Sequence, residues 1–123
     1  MFRFLLLAGA GGFFGTCCRY IVNKLCESYA AGPFPVATFI VNLTGCFLFG
    51  LILGLLDKNR TLSPELYALL ITGFCGGLTT FSTFSNELFR FSTLGEWLLF
   101  SVYLISSILL GLILVWFGKI IIG

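Results

Sequence analysis

The seven basic and five acidic residues of this 123-residue chain leave four long stretches without any charge, at 4–18, 28–56, 66–86 and 98–118. Crossing the hydrocarbon core of a bilayer takes about 20 mainly apolar residues. Three of the stretches meet that length directly. The first does so only when Arg19 lies near the far boundary, where a long side chain snorkels to water or pairs inside the protein. The spacing predicts membrane segments at about 4–25, 35–56, 65–89 and 96–119, making residues 1–123 one all-α integral membrane domain of four transmembrane helices in a lipid bilayer.

Composition excludes the soluble alternative. Only 10% of the residues are charged and 59% are apolar, against roughly 25% charged in a typical soluble domain; in water such a chain would expose most of its phenylalanines and leucines. Mean hydropathy is +1.08. The connections expected at 27–34, 57–64 and 90–95 are too short to fold as a separate catalytic or ligand-binding unit, so any function is built from the membrane segments. No enzyme activity and no nucleic-acid partner are expected. Pro33 and Pro35 hold the approach to segment 2 extended, and Ser63-Pro64-Glu65 reads as a helix cap, a first-turn proline and an acidic first-turn residue.

Arg3 followed by the apolar run 5–10 is a weak version of a secretory signal. Gly11 and Gly15, four residues apart in the uncharged stretch 4–18, suit close contact with another helix, and segment 1 is read as retained. With four crossings, Arg3, Lys58, Arg60 and Lys119 fall on one side and Lys24 and Arg90 on the other, joined by Arg19 if it is interfacial. This bias is small. It slightly favours cytoplasmic termini and leaves insertion in both orientations open.

The five cysteines, Cys17, Cys18, Cys26, Cys46 and Cys75, form no CxxC pair, and the chain has no histidine. They read as small packing residues in apolar segments, not as a metal or redox site.

Segment 3 departs most from a simple crossing. Gly73-Phe74-Cys75-Gly76-Gly77-Leu78-Thr79-Thr80-Phe81-Ser82-Thr83-Phe84-Ser85 concentrates glycines and hydroxyls in mid-membrane. Glycine permits a break in the helix, and broken backbone at membrane depth needs internal partners or an ion. An unbroken helix with hydroxyls bonded to preceding carbonyls suits the same residues. In segment 2, Thr38, Asn42 and Cys46 share a helix face beside Gly45; in segment 4, Tyr103, Ser107 and Gly111 repeat the spacing. Both stripes suit either helix packing or a polar lining. Asp57 and Glu65 lie near one boundary, Glu87 and Glu96 near the other, and the centres of segments 2 and 4 have no ionisable group. That distribution offers no proton relay and favours passive conduction.

At these residues the chain resembles the CrcB/Fluc fluoride channel family. The resemblance runs through Gly9-Ala10-Gly11-Gly12 with Gly15 and Arg19-Tyr20, through Pro35-Val36-Ala37-Thr38 with Val41-Asn42 and Gly45, and through the 73–84 motif; segment 4 matches only loosely at Tyr103 and Ser107. It implies a subunit whose third helix is interrupted at its centre, paired as a dual-topology antiparallel homodimer in a bacterial inner membrane. It further implies two fluoride pathways that relieve fluoride toxicity, and a structural sodium ion (Na+) at the dimer centre. Carried over residue by residue, the resemblance assigns Thr38, Asn42, Phe81 and Phe84 to the fluoride pathway, with Ser82, Thr83, Tyr103 and Ser107 as further lining. Gly77 and Thr80 correspond to the sodium-binding backbone carbonyls, and Arg19 to an arginine shaping the field of a vestibule. The alternatives from other classes are a proton-coupled exporter like the small multidrug transporters, which would want a glutamate within segment 1, and a purely structural membrane subunit.

Overall fold

The computed structural model describes residues 1–29, 32–59 and 63–122. Two continuous helices, α1 (Phe2–Tyr29) and α2 (Val36–Asn59), precede a third span assembled from pieces: α3 (Pro64–Tyr67), a π-helical stretch (Ala68–Cys75), the single turn α4 (Gly76–Leu78) and α5 (Phe81–Thr93). The chain ends in α6 (Trp97–Ile122). The four spans Phe2–Tyr29, Val36–Leu56, Pro64–Thr93 and Trp97–Ile122 are each long and apolar enough to cross a membrane, and the protein is a multi-pass integral membrane protein.

The helices outrun the apolar stretches that announce them. α1 extends past residue 25 because backbone hydrogen bonding continues into the polar margin, where Lys24 and Glu27 sit 3.5 Å apart one turn along the helix. Hydropathy marks only the part of a helix matched to lipid. Ser63 caps the third span as expected, its hydroxyl accepting from the Leu66 N–H at 3.2 Å, with Pro64 in the first turn. At the other end Gly95 takes φ +72°, and the Glu96 N–H reaches back to the Phe91 carbonyl at 2.9 Å, a Schellman closure that turns the chain directly into α6. Arg60, part of the charge tally, lies outside the described residues.

Two helix pairs make the bundle. α1 lies along the first half of the third span, and α2 lies along α6. Glycine sets the spacing in both. A Cβ added at Gly73 would stand 2.6 Å from the Ala8 carbonyl oxygen, and one at Gly77 2.6 Å from that of Gly12. In the second pair, a Cβ at Gly118 would stand 2.5 Å from the Phe47 carbonyl oxygen and one at Gly54 2.6 Å from that of Lys119. Lipid supplies no hydrophobic drive between helices, so the attraction is close backbone contact that any larger side chain would block. The opposite faces present Leu5, Phe13, Leu109 and Trp116 outward. At one end of the first pair Arg3 meets Glu65 at 2.9 Å, an exposed ion pair worth little energy that nonetheless places the starts of α1 and the third span together.

The third span is interrupted at its centre. α4 stops at Leu78, and Thr79 (φ −85°, ψ 157°) and Thr80 (φ −148°, ψ 119°) are extended before α5 begins. The Thr80 hydroxyl caps the new helix by accepting from the Thr83 N–H at 3.3 Å. The preceding π-helical stretch was not anticipated, because its wider i→i+5 bonding carries no compositional signature.

Candidate functional site

Breaking a helix leaves main-chain groups without their usual partners, and at membrane depth water cannot supply them. Side chains from α1 and α2 do so here. Asn42, in the second turn of α2, accepts from the Thr80 N–H through Oδ1 at 2.8 Å and donates from Nδ2 to the Thr80 carbonyl at 3.2 Å. Arg19 of α1 donates from Nε to the Gly77 carbonyl at 2.9 Å. The Thr79 N–H and hydroxyl both return to the Cys75 carbonyl, at 3.0 and 2.9 Å. The expectation that Arg19 either snorkels or pairs internally resolves to the internal partner.

Beside the break lies an open groove of about 670 Å³ between α2, the third span and α6, lined by Asn42, Phe81, Phe84 and Ser107 together with Thr80 and Cys46. Phe81 is 79% exposed and Phe84 only 8%, with ring centroids 6.2 Å apart and the rings tilted by 47°. One Nδ2 proton of Asn42 remains after its bond to Thr80. The groove therefore offers an amide donor, a hydroxyl and two aromatic rings in otherwise apolar surroundings.

Further along, the Phe84 ring meets Tyr103 at 4.9 Å in an edge geometry. Tyr103 is fully buried, and its hydroxyl donates to Glu87 Oε1 at 2.8 Å; Thr38 donates to the other oxygen, Oε2, at 3.1 Å. Thr38 and Glu87 also line a second cavity of about 220 Å³, together with Asn23, Glu27 and Phe34. Thr38 is one turn from Asn42 on α2, and Tyr103 is one turn from Ser107 on α6. Successive polar groups are thus about 6 Å apart along each helix; Phe84 lines the groove, Glu87 lines the second cavity, and the buried Tyr103 packs between them, touching both.

Glu87 is the residue that sequence reasoning missed, having been placed at a boundary. Its signal was available: Phe84, Glu87, Leu88 and Phe91 follow helical spacing, so Glu87 shares the inward face of α5, on which Phe84 and Phe91 are buried. Ser82 and Thr83 are brought to the break but line neither cavity. Both are exposed at the start of α5, with their hydroxyls 3.4 and 3.2 Å from the Thr80 hydroxyl.

Among the described residues no group of three His, Cys, Asp or Glu side chains is placed to hold a metal. The Gly77 and Thr80 carbonyls each accept one side-chain hydrogen bond and retain a second lone pair. Both are hard oxygen atoms, and each is already engaged by a protein donor. The five cysteines are free thiols; Cys75 is buried and Cys46 faces the groove.

Residues 6–119 match the CrcB-like protein (camphor resistance) family. The chain belongs to the CrcB/FluC fluoride channel family. It is 42% identical over 114 residues to a protein of Nitratidesulfovibrio vulgaris (strain Miyazaki F), covering 93% of this chain and 92% of the relative. It is 46% identical over 116 residues to one from Chlorobium luteolum, covering 94% and 89%. A Flavobacterium psychrophilum relative is 43% identical over 111 residues, covering 90% of each chain. All three are described as the fluoride-specific ion channel FluC. Members of this family are channels and not enzymes, and the long polar-to-aromatic groove is the feature of this chain that suits a channel.

Proposed function

We propose that this chain is the subunit of a passive, fluoride-selective channel that exports fluoride across a bacterial inner membrane and so relieves fluoride toxicity. The observation that carries the reading is the convergence of Asn42, Phe81, Phe84 and Ser107, from three different spans, on one groove at the helix break. Family membership and the fluoride-specific relatives support the choice of ion.

Fluoride is compact and strongly hydrated, so a narrow path has to replace its water with close donors. The remaining Asn42 N–H and the Ser107 hydroxyl serve as strong donors, and the positive edges of Phe81 and Phe84 serve as weak ones. Weak partners have a use, because an ion held too tightly does not leave. Beyond Phe84 the hydroxyl protons of Thr38 and Tyr103 are both held by Glu87. An anion reaching them takes the place of a carboxylate oxygen at one of those protons, and the carboxylate repels it onward. Arg19, engaged with Gly77, adds fixed positive charge near the break.

The subunit works as an antiparallel homodimer with two pathways. Support comes from the incompleteness of the groove in one chain, where Phe81 stands largely exposed on the open side and Ser82 and Thr83 are exposed beside it. The small positive-charge bias allows insertion in both orientations. The Gly77 and Thr80 carbonyls would hold the structural sodium ion implied for the dimer centre, which would supply positive charge beside the main-chain oxygens of the break. A proton-coupled exporter of the small multidrug type is disfavoured because the acidic residue of α1, Glu27, lies in its last turn beside Lys24.

The test is ion release from liposomes containing the purified protein, comparing fluoride, chloride and a proton-coupled cationic dye. Fluoride release at least tenfold faster than chloride, with no dye transport, is the expected outcome, about 1.4 kcal/mol of discrimination. Equal chloride release, or dye transport alone, contradicts the proposal.

A further inference from the structure

Just beyond Asn42, α2 and the helix break come into direct contact. Gly45 is buried there, and a Cβ added to it would overlap the Thr79 methyl carbon, with the Thr79 Cβ next at 3.6 Å and the Leu78 Cδ2 at 4.0 Å. Thr79 has no easy way to turn that methyl aside. Its hydroxyl donates to the Cys75 carbonyl at 2.9 Å, which selects one side-chain rotamer. Of the two other staggered rotamers, one sets the hydroxyl oxygen against Gly45, and the other drives the methyl onto the Cys75 carbonyl. Gly45 lies three residues after Asn42 on the same face of α2. Thr79 immediately precedes Thr80, whose N–H and carbonyl Asn42 holds at 2.8 and 3.2 Å.

We infer that the contact between the Thr79 methyl and Gly45 sets the separation of α2 from the break, making Gly45 and Thr79 positioning residues for Asn42 and Phe81 in the fluoride pathway. The inference rests on the pathway reading proposed above. The two Asn42 bonds draw the break toward α2, and the methyl seated on Gly45 decides where the approach stops. Non-bonded carbon atoms rest about 3.5–4.0 Å apart, so a methyl added at residue 45 pushes the break away by about 1 Å or more. Hydrogen bonds have no such slack: a separation near 3.6 Å no longer counts as one. Asn42 then either loses Thr80 or follows it. In both cases its remaining N–H proton shifts relative to the ring of Phe81, the residue after Thr80, and to Ser107 across the groove. Neither positioning residue needs to touch the ion, since Gly45 has no side chain and the Thr79 hydroxyl proton is committed to Cys75.

The experiment compares full-length wild type, Gly45→Ala, Thr79→Ser and two double variants, Gly45→Ala with Thr79→Ser and Gly45→Ala with Thr79→Val, reconstituted at matched dimer content. Fluoride flux under one gradient and thermal unfolding in detergent are the readouts. Gly45→Ala should lower flux about tenfold or more. Serine lacks the methyl and keeps the hydroxyl for Cys75. Thr79→Ser should therefore stay within about threefold of wild type and, combined with Gly45→Ala, restore flux to within about threefold of its own level, a strongly non-additive result. Valine keeps a methyl at the point of contact and should restore nothing. Where Gly45→Ala alone does not assemble, the double variant with serine should assemble and conduct. Failure of serine to restore flux or assembly, or equal restoration by valine, overturns the inference. So does a severe loss of flux in Thr79→Ser alone. Lowered thermal stability with wild-type flux in Gly45→Ala dimers assigns the contact to packing alone and overturns it as well. A wild type that releases no fluoride overturns the pathway reading itself and the inference with it.

Discussion

The carboxamide of Asn42 closes a two-point ring with the main chain of Thr80, accepting the N–H at 2.8 Å and donating to the carbonyl at 3.2 Å. Asn42 thereby has two roles, holding the interruption of the third span and offering its remaining proton to the groove. Asn42→Ala removes both and should cost about 1–3 kcal/mol of stability through unpaired main-chain groups. In samples matched for dimer content, fluoride flux should fall roughly five-fold to 150-fold, the same energy expressed as a rate. Asn42→Asp keeps the acceptor for Thr80 N–H but sets a carboxylate against its carbonyl and against the anion, so flux should fall further than in Asn42→Ala. Wild-type flux in dimeric Asn42→Ala would remove Asn42 from the pathway.

Phe81 and Phe84 separate packing from conduction because their burial differs so much, 79% against 8% exposed. Phe81→Ile should leave subunit stability within about 0.5 kcal/mol, as surface changes usually do. Phe84→Ile loses an aromatic contact with Tyr103 and should destabilise by about 1 kcal/mol or more. Both should lower fluoride flux, since each removes a ring edge while keeping apolar bulk. Unchanged flux in both dimeric variants would assign the pair to packing alone.

Thr38 and Tyr103 share one carboxylate, Glu87, at 3.1 and 2.8 Å. Their stability effects should therefore not add. In a double-mutant cycle with Thr38→Val and Tyr103→Phe, followed by thermal denaturation, the coupling should be about 0.5 kcal/mol or larger. Additivity within about 0.3 kcal/mol would mean that Glu87 does not join the two helices.

The parts legible in the sequence are those set by periodicity and by special residues. Charge spacing located four spans, Ser63-Pro64 marked a helix start, and Gly11 with Gly15 marked a face of α1 that is buried against the third span. The 73–84 motif marked the interruption, now located at Thr79 and Thr80. Tertiary partners were not legible. Nothing in the spacing of Asn42 or Arg19 says that each reaches a main-chain carbonyl of the third span, 38 and 58 residues away. Glu87 was hidden for a related reason: a charge near a hydrophobic boundary looks interfacial until α5 is known to turn it inward, toward Thr38 and Tyr103. Ser82 and Thr83 lie beside the break as their sequence position requires, yet capping, not groove lining, takes up their side of the helix.

Topology provides a separate prediction. Dual insertion places the 57–64 connection on both sides of the membrane across a cell population. A cysteine introduced at Lys58 in a variant with the native cysteines replaced should react with a membrane-impermeant maleimide in intact cells for about half the molecules, and in full only after permeabilisation. Modification confined to one side in a conducting preparation contradicts antiparallel pairing.

The most direct test of the central claim is the driving force for fluoride movement through the reconstituted protein. Fluoride flux and internal pH are recorded together in liposomes clamped at a series of potentials. A passive pathway without a coupled proton predicts that flux reverses at the fluoride equilibrium potential and is indifferent to an imposed pH gradient. A fixed ratio of protons to fluoride at every potential, with reversal displaced accordingly, would contradict the account.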